Sequence, residues 1–306
     1  MKYKTVYTGI ILSIIFTLNI HALQDESPVL KGPYLGQKLP GVIPEIFAPG
    51  IVSTEVNREL GGCSFSPDGK ECYFTRAIDD DWVIMVTRLE SEGWTIPEPV
   101  EFSKGFTALY PHVTLDNHRV LWQWRGLNER DEGMYTSRRT LDGWSEAEYV
   151  GSGMNVSSTR DGEMYVTDNI ETPNRVTEVK FEKGRFTQYI RLEGEIEYYQ
   201  KEFRSAHPCI SPDGSYIIFD DRGTFGSLYV SFRNKENDWG KPIALTEHGF
   251  HPESGIATIS PDGKYLFFGI KGDTYWVSTK IIEDLKPDEL RWNRDSDSLL
   301  GISHYR

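Results

Sequence analysis

The chain has 306 residues, with 33 Lys+Arg against 46 Asp+Glu and a formal net charge of −13. That balance argues against a nucleic-acid partner, since a broad nucleic-acid surface needs clustered Lys and Arg to displace counterions. No apolar run near 20 residues follows the N-terminus, which excludes a helical multi-span membrane protein, and 28 Gly, 16 Pro and 13% aromatic residues suit many short strands joined by turns.

From the N-terminus, Lys2 and Lys4 precede a short apolar run from Gly9 to Leu18, and Ile20-His21-Ala22 ends in a small residue suited to cleavage. This is the layout of a secretory signal peptide over residues 1–22. A periplasmic or secreted protein is therefore expected, with no membrane span after cleavage. An uncleaved anchor is the alternative, against which the run is short. Residues 23–42 read as an extended lead-in.

A repeat then begins. Phe65-Ser66-Pro67-Asp68-Gly69-Lys70 is followed by Cys72-Tyr73-Phe74-Thr75, Ile210-Ser211-Pro212-Asp213-Gly214-Ser215 by Tyr216-Ile217-Ile218-Phe219, and Ile259-Ser260-Pro261-Asp262-Gly263-Lys264 by Tyr265-Leu266-Phe267-Phe268. Degenerate copies centre on Asp116 and Asp161, so the five Asp positions are separated by 48, 45, 52 and 49 residues. Pro presets φ, Asp bonds neighbouring N–H groups and Gly accepts φ > 0, so each copy reads as a turn between two strands of a hairpin. A third strand follows in each copy (Val83–Thr87, Met134–Ser137, Val176–Val179, Leu228–Ser231 and Tyr275–Ser278), and a fourth follows in most. Four strands at this period make a propeller blade.

The last copy lacks its fourth strand after Lys280. Ile43-Pro44-Glu45-Ile46-Phe47 resembles the fourth strand Pro97-Glu98-Pro99-Val100-Glu101-Phe102, so an N-terminal strand is expected to complete the C-terminal blade. The fold class is thus all-β, a five-bladed propeller over residues 43–281. A sixth blade would have to come from Tyr189 to Phe203, which is too short for four strands. The C-terminal tail, 282–306, is charged and carries no repeat.

The Ser-Pro-Asp-Gly hairpins at residues 66–69, 211–214 and 260–263 resemble the WD40-like PD40 repeats of the TolB-like propeller proteins. The resemblance implies the fold and leaves function open, because propellers host binding, scaffolding, lyase and hydrolase roles alike. TolB itself carries a six-bladed propeller and an extra N-terminal α/β domain, for which this chain has no room.

Blade topology places the starts of the innermost strands and the ends of the second strands at one mouth of the central channel. The starts carry Glu59, Tyr110 with His112, Asn155, Arg204 with His207, and His251 with Glu253. The second strands end at Arg76, at Arg125, at Asp168 with Asn169, at Asp220-Asp221-Arg222 and at Lys271. Four blades deliver a cation to this rim, and Trp122 and Trp124 offer an aromatic wall. Polar strand ends also suit solvated loops that bind nothing. The binding set is Arg76, Tyr110, His112, Trp124, Arg125, Asn155, His207, Arg222 and Lys271, with an oligosaccharide or anionic small molecule as ligand. An envelope protein is the other expected partner.

The enzymatic alternative places Glu59 and Glu253 as a carboxylate pair for glycoside hydrolysis or lyase chemistry. The repeat also resembles propeller-type oligogalacturonate lyases, whose metal is held by central His residues, which directs attention to His112, His207 and His251 with Glu253. No His-x-His signature accompanies them, and no Gly-x-Ser-x-Gly, His-Glu-x-x-His, Cys-x-x-Cys or Gly-rich phosphate loop occurs. No metal and no cofactor is therefore expected. Cys63, Cys72 and Cys209 read as buried small hydrophobes, with a bridge between Cys63 and Cys72 as the alternative.

Overall fold

The computed structural model describes residues 30–126, 132–170, 174–202, 204–222 and 226–291. The expected signal peptide lies outside these residues, as does the tail from 292 onward.

The chain is a five-bladed β-propeller of four-stranded antiparallel blades. A short strand, β1 (Glu45–Ile46), comes first. Blade 1 holds β2 (Ser64–Phe65), β3 (Glu71–Ile78), β4 (Asp81–Arg88) and β5 (Glu98–Pro99). Blade 2 holds β6 (Ala108–Val113), β7 (Arg119–Trp124), β8 (Gly133–Thr140), a small added strand β9 (Gly143–Trp144) and β10 (Glu148–Gly151). Blade 3 holds β11 (Met154–Ser158), β12 (Met164–Asp168), β13 (Arg175–Glu182) and β14 (Arg185–Arg191). Blade 4 holds β15 (Ser205–Ile210), β16 (Tyr216–Asp221), β17 (Ser227–Phe232) and β18 (Ile243–Ala244). Blade 5 holds β19 (Gly255–Ile259), β20 (Tyr265–Ile270) and β21 (Asp273–Ser278), and its fourth strand is β1, with Glu45 opposite Trp276 and Ile46 opposite Tyr275. The two ends of the chain thereby close one blade, which removes a sheet edge.

The insert between blades 3 and 4 is a helix, α1 (Glu195–Glu202), and not a sixth blade. Its Ile196 is buried, and Gln200 donates to the Val176 carbonyl at 3.2 Å. The lead-in is packed rather than merely extended. Leu35 is fully buried beside Phe47, Phe65, Phe267 and Trp276, between blades 5 and 1, and Trp94 Nε1 donates to Gly32 O at 2.7 Å. After β21, the short helix α2 (Lys280–Glu283) buries Ile282 against blades 4 and 5.

The repeated turn follows its chemistry. Ser66 donates to Asp68 Oδ1 at 2.6 Å, the Lys70 N–H donates to the same oxygen at 3.1 Å, and Gly69 takes φ 69°. The Ser211 and Ser260 turns repeat this pattern. Burial would raise the Asp68 carboxyl, but the Ser66 and Lys70 hydrogen bonds win and hold it below the ordinary carboxylate range. At Gly214, φ is +73° and a Cβ would meet nothing closer than 3.5 Å, so a side chain there is opposed by backbone conformation alone. Gly214→Val should therefore cost roughly 1–2 kcal/mol from the left-handed geometry, and more than Ser215→Val. Equal melting temperatures for the two variants would contradict this account of the turn.

The three cysteines are free and buried. Phe65 stands opposite Cys72 in the β2–β3 ladder, so Cys63, two residues before Phe65, shares the face of Cys72. Burial pushes the Cys72 thiol well above its ordinary value, which keeps it unreactive.

Candidate functional site

Every inner strand breaks its ladder at the same place. Gly61, Tyr110, Asn155, His207 and Ile256 all take left-handed backbone, with φ of 81°, 55°, 46°, 50° and 53°. In blades 2 to 5 the register shifts there, the mark of a β-bulge. The preceding blade supports the strained residue in three cases. The Tyr110 N–H donates to Thr75 Oγ1 at 3.1 Å, the His207 N–H to Thr167 Oγ1 at 2.8 Å, and the Ile256 N–H to Asp220 Oδ2 at 2.9 Å. In blade 1 the position is Gly61, which lies so close to Gly269 that a Cβ on Gly269 would come within 3.0 Å of its nitrogen. These bulges re-aim side chains around the channel. The ring centroids of Tyr110 and His207, from the non-adjacent blades 2 and 4, are 5.1 Å apart across it.

Below that contact the channel narrows to a cavity of about 40 Å³ whose lining includes Tyr110, His112, Asn155 and Ser158. His112 Nε2 lies 2.8 Å from Ser158 Oγ, and burial pushes the imidazole down to about 4, so it is neutral near pH 7. Above it, blades 4, 5 and 1 enclose a recess of about 430 Å³ lined by Glu59, His207, Asp220, Arg222, Glu253 and Lys271 with several glycines. Lys271 Nζ is 3.5 Å from Glu253 Oε2, both exposed. Arg222 is exposed, and its Nη1 sits 3.5 Å from Met154 Sδ. It pairs with no carboxylate among the described residues.

Two buried groups in this recess are incompletely satisfied. His207 is 5% exposed; its Nδ1 lies 2.8 and 3.0 Å from the Asp220 carboxylate oxygens, while its Nε2 has no partner among the described residues. Glu59 is 3% exposed; Arg76 Nε donates to its Oε1 at 2.8 Å, and its Oε2 has no partner among the described residues. Burial outweighs the pull of Arg76 and raises the Glu59 carboxyl to about 7. A carboxyl raised on folding binds a proton more tightly in the native state, so its favourable contribution is complete at low pH and is lost as pH rises. Wild-type stability, taken relative to Glu59→Gln, should fall between about 4.5 and about 7 and then level off. Denaturant unfolding across that range checks this, and a pH-independent difference would contradict it.

Five predicted site residues thus meet in the recess: Glu59, His207, Arg222, Glu253 and Lys271. Tyr110, His112 and Asn155 line the channel beneath. Arg76 is a buried tie, donating to the carbonyls of Ile51 and Val52 at 2.8 Å as well as to Glu59. Arg125 is exposed, 3.8 Å from Glu132, and outside the recess lining. Trp124 packs on Phe106 at 5.0 Å and Tyr135 at 5.6 Å, within the layer of blades 1 and 2 and not on the recess. Asp220 is the residue that sequence reasoning passed over. It stood at a strand end already noted, but its pairing with His207 depends on the bulge after Ala206, which no residue type marks.

Among the described residues no group of three or more His, Cys, Asp or Glu converges as a metal site, and no helix is long and apolar enough to cross a membrane. A larger recess of about 860 Å³ lies outside blade 4, between α1 and the segment Pro287 to Leu290. None of the unpartnered buried polar atoms belongs to its lining. The mouth is therefore the stronger candidate.

No protein-family model matches the chain. No curated protein matches it. Among solved structures it is similar to TolB from Acinetobacter baumannii, at 14% identity and a TM-score of 0.46, over 71% of this chain and 54% of that one. A putative TolB from Agrobacterium tumefaciens aligns at 18% identity and 0.45, over 69% of each chain. A gluconolactonase from Xanthomonas campestris aligns at 9% and 0.46, over 78% of this chain and 98% of that one. The chain spans about half the length of the Acinetobacter protein, and the similarity to all three is one of fold.

Proposed function

We propose that the chain is an exported ligand-binding propeller of the TolB-like, PD40-repeat kind, and that its mouth at blades 4, 5 and 1 takes an anionic carbohydrate. The observation that carries this reading is the recess itself. Its volume of about 430 Å³ lies within the range of small-molecule sites, about 300–1,000 Å³. Arg222 and Lys271 supply cations on a chain of net charge −13, and His207 presents an unpartnered nitrogen. Export rests on the layout of residues 1–22. Titration calorimetry with D-glucuronate and D-glucose tests the reading. Glucuronate should bind more tightly than the neutral sugar, with an affinity that falls as salt rises, because exposed charges are screened beyond about 8 Å at physiological ionic strength. Equal affinities, or none, would overturn it.

A second reading, a carbohydrate-active enzyme at the same mouth, is favoured by the unequal carboxylates there. Glu59 is buried and raised to about 7, whereas Glu253 is exposed and paired with Lys271. Such environments separate an acid from a base. Turnover of an oligosaccharide that disappears in Glu253→Gln would favour this reading over binding alone.

A further inference from the structure

We infer that the mouth selects hydroxy acids: a ligand carboxylate sits at Arg222 and Lys271 while a hydroxyl of the same ligand donates to His207 Nε2. This rests on the reading that the mouth takes an anionic ligand, and it names which anions are preferred.

Asp220 is 1% exposed and cannot turn away, because its Oδ2 accepts the Ile256 N–H at 2.9 Å. An ionised carboxylate only accepts hydrogen bonds, so the His207 nitrogen beside it, Nδ1, carries the proton. In the neutral ring the other nitrogen, Nε2, is then a bare lone pair and therefore an acceptor. That nitrogen is buried and has no partner among the described residues, and an acceptor so placed calls for a donor.

The surroundings restrict what the donor is. The recess holds charges of both signs, with Glu59, Asp220 and Glu253 beside Arg222 and Lys271, and a hydroxyl donates to Nε2 without carrying a charge of its own into that field. The recess wall near Asp220 is also bare. A Cβ on Gly255 would lie 3.2 Å from Asp220 Oδ2, and Gly61, Gly226, Gly269 and Gly272 complete a wall without side chains. Asp220 is thus a positioning residue that sets the tautomer, and His207 is the group that meets the ligand.

The experiment is calorimetry at about pH 8 with D-glucuronate, hexanoate and D-glucose, on the wild type and His207→Phe. It is accompanied by ¹⁵N spectroscopy of the His207 ring in the wild-type protein. Glucuronate should bind the wild type at least about tenfold more tightly than hexanoate or glucose. Its advantage over hexanoate should collapse in His207→Phe, and the unprotonated Nε2 resonance should move on saturation with glucuronate but not with hexanoate. Equal binding of glucuronate and hexanoate would overturn this inference and leave the anionic-ligand reading standing. Equal binding of glucuronate and glucose, or no binding at all, would overturn both. If His207→Phe fails to fold, the spectroscopy decides alone: an Nε2 resonance that glucuronate does not move means that no hydroxyl reaches it.

Discussion

Deleting residues 43–50 should lower the melting temperature of this protein by well over 10 °C. The segment contributes β1 to blade 5, and without it the outer edge of β21 loses its partner strand at Tyr275 and Trp276. It also removes Phe47, which is fully buried with its ring 5.0 Å from those of Phe267 and Trp276, and the Phe47 N–H that donates to Thr274 O at 2.8 Å. Truncating a buried Phe to Ala costs about 3–5 kcal/mol. Since 1 kcal/mol shifts the melting temperature of a chain of about 150–250 residues by roughly 2–4 °C, Phe47→Ala alone should lower it by roughly 10 °C. Calorimetric melting of both variants checks this. Wild-type stability in the deletion would mean that blade 5 does not depend on its N-terminal strand.

The double substitution Arg222→Ala with Lys271→Ala should weaken glucuronate at least about a hundredfold at low salt, because a hydrogen bond to a charged group contributes about 1.5–3 kcal/mol and two are removed. The loss should shrink as salt rises. Asp68→Ala and Asp262→Ala, at the repeated turns, form the control. They remove the carboxylates that take the Ser66 and Ser260 hydroxyls, so they should lower the melting temperature and leave affinity within about twofold of the wild type. A control pair that loses affinity while the double variant keeps it would move the site to the other face.

The number of blades and the closure were legible because both rest on local, repeated chemistry. A Pro-Asp-Gly turn has one reading, and the likeness of Ile43–Phe47 to a fourth strand marked the shared blade before any pairing was visible. The site was legible only by level. Counting back from the turn Asp residues put the strand ends at one mouth, and Glu59, His207, Arg222, Glu253 and Lys271 do meet there. Position along a strand does not say which way a side chain leaves it. Trp124 turns into the layer shared with Phe106 and Tyr135, and Arg76 turns inward to Glu59, Ile51 and Val52. The left-handed bulges were invisible for a related reason. Tyr110, Asn155, His207 and Ile256 share a backbone geometry but no residue type, and a Gly occurs at that position only in blade 1. The Asp220–His207 pair depends on that bulge, which displaces His207 from the ladder that pairs Ala206 with Asp220.

A crystal structure of the protein soaked in D-glucuronate tests the central claim most directly. The sugar should lie in the recess of blades 4, 5 and 1, with its carboxylate at Arg222 and Lys271 and a hydroxyl at His207 Nε2. Glucuronate bound instead at the Ser-Pro-Asp-Gly turns or in the outer groove of blade 4, with the recess holding none, would contradict it.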